Sequence, residues 1–123
     1  MNKLFSIFCL SALLTAVPAI AHEMHGQAMH GGIVAEAGHA QFEIVSKDGG
    51  VSVIVTNHGA PVASAGASGK LTVLAGSSKS EIELKPAGEN RLAGQGSLPA
   101  GAKLLISVTL PGKKPLQARA VVK

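Results

Sequence analysis

A chain of 123 residues with 3 phenylalanines and neither tryptophan nor tyrosine has no platform on which bases or sugars could stack, which excludes the usual mode of single-stranded nucleic-acid binding. Its formal net charge of +4 arises from lysines and arginines scattered from Lys3 to Lys123, a pattern of solvated surface and not of a basic groove. The one cysteine, Cys9, stands close to the start, so neither a disulfide framework nor a thiolate zinc site is available.

Residues 1–21 have the three zones of a secretory signal: Lys3 as the positive start, an apolar run from Leu4 to Val17, and Ala19-Ile20-Ala21 as a small-x-small cleavage site. The run is shorter than the roughly 20 residues a bilayer span needs. The expectation is an exported, periplasmic protein cleaved after Ala21, with no membrane insertion once the signal is gone. Cys9, Phe5 and Phe8 leave with that segment, and Phe42 remains as the only aromatic ring. The mature chain is enough for one domain, since about 100 residues bury roughly 60–65% of their unfolded surface.

The next stretch, residues 22–32, reads as a flexible leader rich in histidine and methionine. His22, Met24, His25, Met29 and His30 place three imidazoles and two thioethers within nine positions. Imidazole with thioether, and no thiol nearby, is the donor set of a copper site in an oxidising compartment. Cleavage after Ala21 would give His22 a free α-amine beside its imidazole, and the two nitrogens close one chelate ring on an ion. A second imidazole completes the three-nitrogen arrangement called a histidine brace. With unperturbed pKa values of about 7.7–8.0 for the amine and about 6.5 for imidazole, copper(II) displaces both protons near neutral pH. Met24 and Met29 add soft donors suited to copper(I), and His25 and His30 are spaced to fold back on the same ion.

From residue 33 to residue 123 the period is two. Ala40, Phe42 and Ile44 alternate with Gln41, Glu43 and Val45; Val51, Val53 and Val55 follow, then Leu71, Val73 and Ala75, then Ile82 and Leu84. Leu104, Ile106, Val108 and Leu110 form the longest stripe, and Leu116, Ala118, Ala120 and Val122 close the chain. Turn chemistry separates the runs at Asp48-Gly49-Gly50, Asn57-His58-Gly59-Ala60-Pro61, Gly76-Ser77-Ser78, Pro86-Ala87-Gly88-Glu89-Asn90, Leu98-Pro99-Ala100-Gly101 and Pro111-Gly112. The pattern predicts an all-β domain: a small antiparallel immunoglobulin-like sandwich of about seven strands, with a partly closed barrel as the rival. Residues 60–69, the one long and weakly patterned connection, are expected to cross between the sheets.

His39 opens the first clear strand and His58 occupies the tip of Asn57-His58-Gly59. If the first two clear strands pair as a hairpin across residues 46–50, the two histidines meet at its far end and form a rigid pair over which the leader closes. Catalysis has no support of this kind. Asp48, the one aspartate, lies in a Gly-flanked turn without a nucleophile and base nearby, and Glu36, Glu43, Glu81, Glu83 and Glu89 read as exposed positions of alternating strands. The chain is not expected to be an enzyme.

His30-Gly31-Gly32-Ile33-Val34, then Gly38-His39-Ala40-Gln41-Phe42-Glu43-Ile44-Val45, then the segment from Val108 through Pro111-Gly112 to Arg119, carry a family resemblance. Over residues 30–123 the chain resembles the N-terminal region of periplasmic adaptor (membrane fusion) proteins of cobalt–zinc–cadmium and copper efflux systems, and small stand-alone exported relatives of that region. The resemblance implies a β-sandwich of heavy-metal resistance systems, with His30, His39 and His58 where the pattern tends to carry histidine. The helical hairpin and lipoyl-like segments of a full adaptor are missing, which leaves a stand-alone accessory protein. The expected function is binding of a transition metal, copper(II) or copper(I) foremost and zinc or another divalent ion next, with buffering or delivery to an efflux system. The alternative is an interaction module that docks on a periplasmic or membrane component of the pump without metal.

Overall fold

The computed structural model describes residues 27–123. Its described part contains no helix and is built from nine antiparallel strands. They are β1 (Ile33–Ala37), β2 (Ala40–Lys47), β3 (Gly50–Asn57), β4 (Ala60–Pro61), β5 (Ser68–Ala75), β6 (Ser78–Pro86), β7 (Arg91–Gln95), β8 (Lys103–Thr109) and β9 (Leu116–Val121). They run in the order β1-β2-β3-β7-β6-β5-β8-β9, with β4 on the side of β3.

The pairings β2–β3 and β3–β7 on one side, and β5–β8 and β8–β9 on the other, are the A–B–E and C–F–G ladders of an immunoglobulin-like sandwich. β6 pairs along its length with β5 and through Lys85 and Pro86 with β7, so it ties the two layers together at one edge. At the other edge β1 and β9 lie against each other. The sandwich is thereby nearly closed into a barrel, and the two architectures weighed from the sequence meet in one molecule.

Alternation sets the core. Phe42 faces Val55, Ile44 faces Val53 and Val53 faces Leu92 on one layer; Leu71 faces Ile82 and Ile106 on the other. All of these are buried, and each such side chain contributes roughly 1.5–3 kcal/mol of transfer free energy. Residues beyond β4 cross between the layers as the sequence suggested. Buried Ser64 fixes that crossing, donating both its backbone N–H (2.8 Å) and its hydroxyl (3.1 Å) to the carbonyl of Glu89.

Three of the nine strands were not among the runs picked out by periodicity. β4 has two residues and only edges β3. β1 and β7 have five residues each, and one large inward apolar side chain in each (Ile33, Leu92) followed by alanine or glycine is too short a run for the alternation to stand out. Among the described residues no helix is long and apolar enough to cross a membrane.

Candidate metal centre

On the outer face of the first layer, opposite Phe42 and Ile44, stands Glu43. Alternation predicts it to be exposed, and the structure corrects this: Glu43 is 3% exposed. The reason lies outside its own strand. The chain ahead of β1 folds back over β2 and wraps the carboxylate with its backbone. Oε1 accepts the N–H of Met29 (2.9 Å) and Oε2 accepts the N–H groups of His30 (2.7 Å) and Gly32 (2.9 Å). The fourth bond links Oε1 to Nδ1 of the His30 ring at 3.0 Å. An ionised carboxylate offers about four lone-pair sites, and all are used. Successive N–H groups turned on one anion form a backbone nest.

The glycines after His30 make this approach possible. Gly31 has φ +72°, a left-handed turn that costs glycine nothing. At Gly32 a Cβ would stand 2.6 Å from the carbonyl oxygen of Ile44 and 2.9 Å from Cγ of Glu43. Only glycine lets the backbone lie that close to β2. Burial by itself would raise the Glu43 carboxyl, but the bond from the His30 ring and those from the backbone of Gly32, His30 and Met29 outweigh it and hold the carboxyl below its ordinary value.

The consequence for His30 is chemical. An ionised carboxylate only accepts, so Nδ1 carries the hydrogen; in the neutral form of the ring the lone pair is then on Nε2. The ring is half-exposed, its side chain at 47%. A carboxylate accepting one ring N–H is the partner that commonly sets the tautomer and orientation of a metal-ligating histidine. Met29, the residue before His30, is 73% exposed.

Of the other sequence-predicted ligands, His39 and His58 are brought together, with ring centroids 4.8 Å apart and planes tilted by 31°. The hairpin register explains it: Ala40 pairs with Asn57, so the residues just beyond each stand side by side. This pair and His30 are not at one point. Four residues of extended chain, about 13 Å, separate His39 from Glu43. Among the described residues no group of three or more histidine, cysteine, aspartate or glutamate side chains is arranged to hold an ion. His22, Met24 and His25, like the expected signal at residues 1–21, lie outside the described residues.

Glu43 is the residue of this candidate site that the sequence reading missed, having taken it for an exposed strand position. A usable signal exists: a glutamate on a strand's polar face, with His-Gly-Gly a dozen residues earlier to fold across it. Compared with protein-family models, with curated proteins and with solved structures, the chain gives no match.

Proposed function

We propose that this chain is an exported periplasmic protein that takes up a transition metal, copper foremost, through His22, Met24, His25, Met29 and His30, and buffers it or passes it to an efflux system. The observation that supports this best is the His30–Glu43 pair. A buried, fully bonded carboxylate holds Nδ1 of one imidazole of the cluster, so a metal would be bound through the Nε2 of the neutral ring. The mixed imidazole and thioether set accepts both oxidation states of copper, nitrogen serving copper(II) and sulfur copper(I). Donors strung on one segment can be surrendered to an acceptor one at a time, which suits handover better than a closed cage does. Copper is cargo in this reading, and no chemistry is performed on it.

The test is calorimetric titration of copper(II), and of copper(I) under reducing conditions, into the exported protein and into its His22/His25/His30→Ala and Glu43→Gln versions. The triple replacement is expected to remove the leader's binding, and Glu43→Gln to weaken it by about 10–100-fold, as loss of an outer-shell partner does. Equal affinity in all three proteins would overturn the proposal.

A further inference from the structure

The second juxtaposition of donor side chains has a geometry of its own. His39 is the second residue of the two-residue loop between β1 and β2, where Ala37 pairs with Ala40. His58 is the first residue of the loop between β3 and β4, where Asn57 pairs with Ala60. Both side chains are therefore fixed to tight turns at one end of a paired sheet, and little ordering is left for a ligand to impose. His58 also stands at φ +50°, followed by Gly59 at φ +81°. A two-residue loop with both φ positive ordinarily takes Asn, Asp or Gly first. Histidine is a less usual choice there, and a non-glycine residue held at positive φ in a built position is a pointer to use.

The ring separation fits an ion. With a metal–nitrogen distance of about 2.0–2.1 Å, an imidazole centroid lies about 3.2 Å from the ion it binds. Two rings that subtend an angle between square and tetrahedral at one ion then have centroids about 4.5–5.2 Å apart. The observed 4.8 Å falls inside that interval. We infer that His39 and His58 form a second cation site, separate from the leader's, that takes a borderline divalent ion (copper(II), nickel(II) or zinc(II)) through one nitrogen of each ring. Imidazole suits these ions, whereas magnesium and calcium prefer oxygen. The remaining coordination positions are filled by water or by a donor from an arriving or departing carrier, which makes the pair a docking place for a metal in transit. The site does not depend on the leader and stands or falls apart from it.

The experiment titrates copper(II) into four versions of the full exported protein while amide spectra are recorded. These are the parent, His22/His25/His30→Ala, His39→Gln with His58→Asn, and the two sets combined. Asn at 58 keeps the turn, because it tolerates positive φ. In the leader version, paramagnetic broadening is expected at residues 37–40 and 57–60, saturating at one equivalent. It is expected to vanish in the combined version. His39→Gln alone, at a position that demands no special turn residue, is expected to lower affinity here by at least the roughly tenfold seen on loss of an outer-shell partner. The His39→Gln/His58→Asn protein still binds copper at the leader if the leader reading holds, so the two ideas fail separately. Absence of broadening at 37–40 and 57–60 in the leader version, or its survival in the combined version, would show the ring pair to be a packing contact only.

Discussion

Replacing Glu43 by glutamine keeps the length and volume of the side chain and removes its charge and one of its acceptor oxygens. In the parent the two oxygens take four hydrogen bonds at 2.7–3.0 Å. A carboxamide can keep two of them on its remaining oxygen. Its NH2 group, turned to the Oε1 side, confronts the Met29 N–H and can be accepted only by a His30 ring of the other tautomer, so two charge-assisted bonds are lost. Bonds to a charged group contribute about 1.5–3 kcal/mol each, so losing two would cost roughly 3–6 kcal/mol if the segment stayed in place. The segment precedes β1 and can lift into water, where its N–H groups are solvated again. That escape limits the cost to about 2–3 kcal/mol, or on the order of 10–20 °C in melting temperature for a domain of this size.

Acid provides an independent check on the same residue. The folded carboxyl is held below its ordinary value, while in the unfolded chain it titrates near about 4.3. Within that window the unfolded state binds more protons, so stability falls as pH falls. The Glu43 contribution is complete above about pH 5 and is lost as pH drops through the folded value. Thermal melts of both proteins between about pH 7 and about pH 3 should therefore converge at the acid end, the parent losing more. Amide exchange at Met29, His30 and Gly32 should accelerate in the variant at neutral pH. A variant that melts with the parent at neutral pH, or a gap between the two that does not change with pH, would refute the account of Glu43 as the carboxylate that pins residues 29–32.

Gly32→Ala should displace the same segment by steric means, since its Cβ would meet the Ile44 oxygen at 2.6 Å and Cγ2 of Val45 at 2.9 Å; a loss of about 1–3 kcal/mol is expected in urea denaturation. His30→Ala keeps the three backbone bonds to Glu43 and removes one bond from a half-exposed ring. It should therefore change stability by no more than about 1 kcal/mol while lowering copper affinity, a split that calorimetry and melting curves read together. Phe42→Ala empties the position of a completely buried side chain between the layers, for an expected cost of about 3–5 kcal/mol by chemical denaturation.

Much of the scaffold is legible in one dimension because a strand's side chains alternate and turns need particular residues. Val51, Val53 and Val55 could only sit on one face, Asp48-Gly49 could only turn the chain, and from those two facts the β2–β3 hairpin and the meeting of His39 with His58 follow. The short strands β1 and β7 escape such a reading, since each spans five residues and sets one large inward apolar side chain, Ile33 or Leu92, beside alanine or glycine. Nor does local pattern choose which strand joins which layer; β6 pairs with both β5 and β7 because the layers must close on each other. Glu43 shows the limit most clearly. Its sequence neighbours place it on the polar face, and there it stays, yet it is buried because Met29, His30 and Gly32 come back across the sheet to meet it. Periodicity reports which face a residue takes, and only the path of the rest of the chain decides whether that face meets water.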